Sequence, residues 1–139
     1  MLVRADEKGL ADAARVLNAG GVAVIPTDTV YGLAAHPAFP AAVARLYAIK
    51  GRAAQKPIAL LAADVAAVRA FGYAVPDRLA KFWPGALTVV VGPEGFRVPD
   101  HAWTRELLRR CGGVLRVTSA NLSGRRAATD APQALADVG

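Results

Sequence analysis

The feature that most constrains the fold is a short apolar run bounded by turn residues. Val22–Ile25 is entered from Gly20-Gly21 and stopped by Pro26, which predicts a buried strand. The polar side chains that follow it are Thr27, Asp28, Thr29 and Tyr31. In open α/β sheets, ligand groups lie where a strand runs out into a polar, glycine-bounded loop. An ordinary Asx turn would use the same residues, so this stretch alone leaves both interpretations open.

Helices and strands are predicted to alternate along the chain. The predicted helices cover residues 6–18, 40–49, 64–70, 76–82 and 102–111, with a last helix from about residue 130. The predicted strands cover residues 22–25, 58–62, 87–91, 96–98 and 114–117. Asp6, Asp64 and Asp100 are the expected N-caps. This alternation predicts an α/β fold, and the 139 residues, without a linker or a repeat, are expected to form one domain.

The charge of the chain is positive and unevenly distributed. Its 17 Lys and Arg residues and 11 Asp and Glu residues give a formal net charge of +6, and no acidic residue occurs between Asp28 and Asp64. A basic, acid-free segment suits binding of a polyphosphate or a nucleic acid, although a solvated helix face has the same composition.

No apolar run reaches membrane-spanning length and no signal peptide is visible. We therefore expect a cytoplasmic protein without a membrane partner.

The single cysteine and the two histidines offer little chemistry. Cys111 alone excludes an internal disulfide and a cysteine-rich zinc site, and its place at a predicted helix end favours a packed thiol over a nucleophile. His36 and His101 have no partner at metal-ligand spacing, so no protein-bound metal is expected.

Three cations lie close together where the second predicted helix ends. Lys50 and Arg52 flank Gly51, and Lys56 follows before the next strand. They are suited to clamping a polyphosphate and neutralising charge at phosphorus. Taken alone, capping of the helix C-terminus by these cations is the simpler interpretation.

Polar groups also follow two later predicted strands. Residues 118–124 offer hydroxyl and amide groups that can bind phosphate, ribose or a small amino acid, and a Ser/Thr turn would look the same. The guanidinium of Arg97 can bind a carboxylate or a phosphate through two N–H groups. An arginine that is simply solvated at the end of a strand would give the same sequence.

Five segments, in this order, resemble the sequence blocks of the YrdC family. They are Pro26-Thr-Asp-Thr-Val-Tyr-Gly-Leu33, Lys50-Gly-Arg52 with Lys56-Pro57, Trp83-Pro-Gly-Ala-Leu-Thr88, Arg97-Val-Pro-Asp-His101 and Thr118-Ser-Ala-Asn-Leu-Ser-Gly124. The resemblance implies a twisted open mixed sheet with flanking helices, of YrdC-like (RibB-like) architecture. It also implies a threonylcarbamoyl-AMP synthase, which condenses L-threonine, bicarbonate and ATP and releases pyrophosphate. The product feeds N6-threonylcarbamoyladenosine formation in tRNA, so tRNA or double-stranded RNA and the proteins of that pathway are the implied partners.

The resemblance also implies roles for individual residues. The implied catalytic residues are Lys50 and Arg52, which would face the ATP phosphates. The implied threonine contacts are Thr27, Tyr31, Thr88, Arg97 and Ser119, with Arg97 near the threonine carboxylate. The implied nucleotide contacts are Lys50, Arg52, Lys56, Ser119, Asn121 and Ser123. The reaction needs no protein nucleophile, and Mg²⁺ would arrive with ATP as substrate, so no tightly held protein metal is implied.

The chain departs from the family pattern at two places. Only Gly92–Gly95 separates two predicted strands where the family usually has a longer excursion, and the sequence ends at Gly139 without the family's C-terminal strands and nucleotide contacts. Loss of a strand would expose a sheet edge, and we expect Arg116 to be partly exposed on that edge.

The alternative function is binding of double-stranded RNA or tRNA with little catalysis. A third is a carbamoyl-transfer domain like that of hydrogenase-maturation proteins.

Overall fold

A computed structural model describes residues 6–28, 31–50, 58–73, 75, 81, 83–85, 88–91 and 94–119, with the backbone alone for Lys50, Val91 and Ser119. The helices are α1 (Glu7–Asn18), α2 (Pro40–Lys50), α3 (Val65–Ala70) and α4 (Ala102–Arg110). The strands are β1 (Val22–Ile25), β2 (Gly32–Ala35), β3 (Leu60–Ala62), β4 (Val89–Val91), β5 (Glu94–Arg97) and β6 (Val114–Ser119). The predicted helix over residues 76–82 falls almost entirely outside the described residues, and the one from about residue 130 falls entirely outside them.

Within the described residues, six strands form one mixed sheet in the order β1-β2-β6-β3-β5-β4. Neighbouring strands are antiparallel except β3 and β5, which are parallel. β6 comes after the other described strands in the chain and lies between β2 and β3. The predicted open mixed α/β sheet is therefore confirmed.

Helices cover both faces of this sheet. α1 and α4 pack on one face, over a core that includes Leu17, Ile25 and Leu115. On the other face, α2 packs on a cluster around Leu46, and α3 packs on a second cluster around Phe96. Successive side chains of a strand point to opposite faces, so each strand contributes to both layers. We call the first of these the α1/α4 face and the second the α2/α3 face.

Two of the three predicted N-caps are confirmed. The Asp6 carboxylate accepts from the N–H of Gly9 at 2.7 Å, and the Asp64 carboxylate accepts from Ala67 at 2.8 Å. The third prediction, Asp100, is wrong. His101 caps α4, because its Nδ1 accepts from the Thr104 N–H at 3.3 Å.

The strand predictions need three corrections. β2 was not predicted, since Leu33-Ala34-Ala35 is short and follows a loop-like polar segment. β5 begins at Glu94, inside the Gly92–Gly95 segment that was expected to separate two strands. β6 runs on to Ser119, so the first two residues of the polar segment 118–124 belong to a strand paired with β2.

Arg116 is partly exposed, as expected, but the reason given for it is wrong. β6 is an interior strand with β2 and β3 on its two sides, so Arg116 does not protect a sheet edge. Its charge is instead paired with Glu94.

Candidate active site

Asp28 and Arg97 are 69 residues apart in the chain and meet beside the end of β1. Arg97 Nη1 donates to Asp28 Oδ1 at 2.5 Å and also to the carbonyl oxygen of Gly85 at 3.1 Å. The two charged side chains are 10% and 12% exposed. Interpretation of Arg97 as a solvated strand-end charge is therefore wrong, because the guanidinium is buried and forms an ion pair.

Asp28 has a second partner on the segment that leads into α4. Its Oδ2 accepts from the backbone N–H of Asp100 at 2.9 Å. Burial by itself raises the pKa of the Asp28 carboxyl. The Asp100 N–H and the Arg97 guanidinium outweigh that effect and bring the pKa below its usual value. Asp28 is therefore a carboxylate that joins two separate segments of the chain.

The segment Trp83–Gly85 belongs to the same assembly. Its Trp83–Pro84 peptide bond is cis, and the Gly85 N–H donates to the carbonyl of Val98 at 2.8 Å. Together with the bond from Arg97 to the Gly85 carbonyl, this ties the segment to the end of β5. Three of the five sequence blocks, which begin at Pro26, Trp83 and Arg97, thus meet at one place.

A buried hydroxyl fixes the chain just before Asp28. Thr104, near the start of α4, is completely buried, and its Oγ1 donates to the carbonyl of Pro26 at 2.6 Å. The same hydroxyl lies 3.1 Å from Nδ1 of the capping His101. The first turn of α4 is in this way attached to the residue that ends β1.

Thr27 lies between Pro26, which is hydrogen-bonded to Thr104, and Asp28, which is hydrogen-bonded to Arg97 and Asp100. It is also next to the β2–β6 pair. A Cβ placed on Gly32 would overlap Cγ1 of Val117 and would lie 3.7 Å from Cγ2 of Thr27. Gly32 is also in register with Ser119 of β6. The glycine at position 32 therefore leaves space for the Val117 side chain, and Thr27 lies at ordinary van der Waals distance from the same point.

Gly95, Thr88 and Val90 lie farther along the α1/α4 face, on β4 and β5 or next to them. Gly95 of β5 has small neighbours, since a Cβ placed there would lie 3.2 Å from Thr88 Cγ2 and 3.8 Å from Ala59 Cβ. Thr88 is exposed, and the side chain of Val90 on β4 is 73% exposed. Among the described residues, Gly95 thus has the small side chains of Ala59 and Thr88 beside it on this face.

Comparison with known proteins identifies the family. Residues 15–139 match the model of the Sua5, YciO and YrdC proteins, which is described as "Telomere recombination". The chain belongs to the Sua5/YciO/YrdC family. The expectation drawn from the five sequence blocks is thus confirmed.

Relatives in this family carry the name threonylcarbamoyl-AMP synthase. A Mycobacterium tuberculosis protein named "Putative threonylcarbamoyl-AMP synthase" is 35% identical over 150 residues, which cover 95% of this chain and 69% of the relative. The Bos taurus threonylcarbamoyl-AMP synthase is 37% identical over 134 residues, which cover 85% of this chain and 49% of the relative. The chain thus spans about half the length of its mammalian relative.

The fold is also that of a solved family member. The crystal structure of P. abyssi Sua5 complexed with L-threonine matches 99% of this chain and 47% of its own with a TM-score of 0.86 and 29% sequence identity. The mixed sheet of the present chain is therefore the sheet of a Sua5/YciO/YrdC protein.

The predicted site residues of the family fall into two groups. The structure describes the side chains of Thr27, Tyr31, Thr88 and Arg97. The side chains of Lys50 and Ser119 are outside the described part, as are residues 52, 56, 121 and 123 entirely. The backbone of Lys50 ends α2, and that of Ser119 ends β6 beside β2.

Among the described residues, Thr27 and Tyr31 lie on different sides of the sheet. Thr27 approaches Gly32 on the α1/α4 face, whereas Tyr31 packs against the cluster around Leu46 under α2. A threonine pocket shared by these two side chains stays a prediction.

The sequence named Asp28 only as one of several polar side chains after β1, and it gave no role to Gly85 or Thr104. One signal was available: an arginine in an apolar strand needs an acidic partner if it is buried.

The thiol of Cys111 is packed as predicted, and burial raises its pKa to about 11. Within the described ranges, no group of three or more His, Cys, Asp and Glu residues is placed to hold a metal ion. The described helices include none that is long and apolar enough to span a membrane.

Proposed function

We propose that this chain forms threonylcarbamoyl-AMP from L-threonine, bicarbonate and ATP and releases pyrophosphate. The observation that carries the proposal is its likeness, over 99% of its length, to a Sua5 solved with L-threonine. The shared name of the mycobacterial and bovine relatives supports the same activity. Because the chain spans 47% of that Sua5, the activity is a property to be tested on this chain itself.

The proposed chemistry is nucleotidyl transfer to a carbamate. The threonine amine and bicarbonate form the carbamate with loss of water. A carbamate oxygen then attacks the α-phosphorus of ATP, and the bond to the β-phosphate breaks so that pyrophosphate leaves. This reaction depends on alignment of the reactants and on neutralisation of charge at phosphorus, and needs no nucleophile from the protein.

The residues divide into a threonine site and a nucleotide site. We assign the threonine site to Thr27, Tyr31, Thr88, Arg97 and Ser119. The nucleotide contacts are assigned to Lys50, Arg52, Lys56, Ser119, Asn121 and Ser123. Lys50 and Arg52 are the proposed catalytic residues, because two cations near the triphosphate would stabilise the leaving pyrophosphate. Mg²⁺ would enter with ATP, since this ion is commonly held by substrate phosphates.

The proposed product would be used on tRNA, which suggests tRNA and the other proteins of that modification as partners, and a cytoplasmic location. The formal charge of +6 and the acid-free segment between Asp28 and Asp64 support contact with a polyanion. Binding of tRNA or double-stranded RNA without catalysis is the second candidate, and it is favoured by the same two observations.

The decisive measurement is pyrophosphate release by the purified chain with ATP, Mg²⁺ and bicarbonate, with and without L-threonine. We expect release that depends on threonine and is lost in Lys50→Ala. Lys8→Ala is the matched control, because Lys8 is an exposed lysine on α1, outside the proposed site. It should release pyrophosphate like the unaltered chain.

Two other results would contradict the proposal. Release that does not depend on threonine would indicate a different nucleotide reaction. No release, together with tRNA binding that weakens steeply as salt rises, would favour the RNA-binding candidate.

A further inference from the structure

Thr27 is held from both sides by contacts that come from distant parts of the chain. On one side, the carbonyl of Pro26 accepts a hydrogen bond from the buried hydroxyl of Thr104 at 2.6 Å. On the other, the Asp28 carboxylate binds Arg97 at 2.5 Å and the N–H of Asp100 at 2.9 Å. Because both of its neighbours in the chain are hydrogen-bonded to other segments, Thr27 has little freedom to move relative to the sheet.

Arg97 is already committed to a carboxylate of the protein. Its Nη1 lies between Asp28 Oδ1 and the Gly85 carbonyl oxygen, and both members of the ion pair are about nine-tenths buried. A substrate carboxylate on the same guanidinium nitrogen would have to displace Asp28 or lie beside a like charge in a poorly solvated place.

We propose that Arg97 is a positioning residue: through its ion pair with Asp28 it fixes Thr27 in the threonine site, and it does not bind the threonine carboxylate itself. This inference rests on the proposed function, because it assigns a role within the threonine site. It differs from the role that the family resemblance implied for Arg97, which was contact near that carboxylate.

The two roles predict different responses to the ligand's carboxylate. The test compares the affinities of L-threonine and L-threoninamide, which lacks the carboxylate charge, by calorimetry on the unaltered chain and on Arg97→Gln. A positioning role predicts that both ligands weaken by a similar factor, roughly 10- to 100-fold for a displaced pocket residue. The preference for L-threonine over L-threoninamide should stay unchanged.

A second variant makes the distinction independent of Arg97 itself. Asp28→Asn removes the partner charge and leaves the arginine in place. If Arg97 positions Thr27, Asp28→Asn weakens both ligands as Arg97→Gln does. If Arg97 binds the threonine carboxylate, Asp28→Asn releases the guanidinium, and L-threonine binds equally well or more tightly.

Arg116→Gln is the matched control for loss of a buried ion pair. Arg116 and Glu94 are buried to a similar degree, at 19% and 13% exposed, but their backbone positions place them on the α2/α3 face. This variant should keep the affinities for both ligands, with thermal unfolding used to confirm that every variant is folded at the assay temperature. Should Arg97→Gln not fold, the Asp28→Asn comparison decides the question alone.

The outcomes separate the inference from the proposed function. Loss of L-threonine binding with retained L-threoninamide binding in Arg97→Gln overturns the positioning role and leaves the proposed function intact. Unchanged binding of both ligands in that variant also overturns it. If the unaltered chain binds no L-threonine, both the proposed function and this inference are contradicted.

Discussion

Arg116 of β6 and Glu94 of β5 form a two-point ion pair across the strand that separates them, β3. Nη1 donates to Oε1 at 2.8 Å and Nη2 donates to Oε2 at 2.5 Å. Nη1 also donates to the carbonyl of Ile58 at 2.9 Å. The hydrogen bonds to Glu94 raise the pKa of Arg116 despite its burial. The pair lies between the clusters around Leu46 and Phe96, so it connects the two halves of the α2/α3 layer.

Breaking this pair should cost much more stability than breaking a surface pair. We expect Glu94→Gln to lower the free energy of unfolding by about 3 kcal/mol, because the Arg116 charge would stay partly buried without its partner. Asp12→Asn is the control. It removes the partner of Arg15 in a pair that is 72% and 30% exposed, and it should cost about 0.5 kcal/mol or less. Urea unfolding of both variants measures the difference, and equal losses would contradict the expectation.

The Asp28 carboxylate should make the fold sensitive to acid. Its folded pKa lies below the ordinary value of 3.8, so its stabilising effect is fully present at neutral pH and is lost as pH falls through the folded pKa. Asp28→Asn has no such titration. We therefore expect the unaltered chain to be more stable than Asp28→Asn at pH 7, with a difference that shrinks below about pH 4. Unfolding free energies measured from pH 7 to pH 2 check this, and a constant difference would contradict it.

Removal of the Thr104 hydroxyl should destabilise the attachment between α4 and β1. Thr104→Val keeps the shape of the side chain but leaves the Pro26 carbonyl without the donor that now lies 2.6 Å away. An unsatisfied buried acceptor costs about 1–3 kcal/mol. Thr104→Ser keeps the hydroxyl and should lose less. Urea unfolding of the two variants makes the comparison, and a Thr104→Ser loss equal to that of Thr104→Val would assign the effect to packing instead.

A methyl group at position 32 should also be costly, for a steric reason. The Cβ of Gly32→Ala would overlap Cγ1 of Val117 and approach Thr118 O at 3.5 Å. Overpacking of this kind costs about 1–3 kcal/mol. Val117→Ala removes the overlapping atom, so we expect the double variant Gly32→Ala/Val117→Ala to lose less stability than the sum of the two single changes. Denaturant unfolding of the three variants tests this, and additive losses would argue against the overlap.

Local features of the fold were predictable because they depend on neighbouring residues. The α1 helix, its Asp6 cap and its buried positions such as Leu17 follow from spacing within one short segment. Spacing within the segment does not show whether Asp100 or His101 caps α4. The position of Asp100 depends on the hydrogen bond from its backbone N–H to the distant Asp28 carboxylate. β2 was missed for a related reason. A four-residue strand of small side chains has a weak local pattern, and it is stabilised by β1 and β6 on its two sides.

The candidate site was predictable in its parts but not in its assembly. The five sequence blocks identified the family and named Thr27, Thr88 and Arg97. No pattern in the sequence indicates that Arg97 reaches Asp28, 69 residues away, because that contact depends on the order and twist of the strands between them. The same applies to Arg116, whose surroundings follow from the central place of β6.

The position of β6 also bears on how the chain folds during synthesis. Among the described strands, the β1–β2 pair and the β3–β5–β4 group share no backbone hydrogen bonds until β6 joins them. The sheet is therefore completed only when β6, which lies late in the chain, pairs with β2 and β3. These pairings join residues far apart in the sequence, and contacts of this kind slow folding. A ribosome-bound chain that has not yet exposed residues 114–119 should hold two incomplete sheets, whose unpaired strand edges make such a nascent chain prone to aggregation.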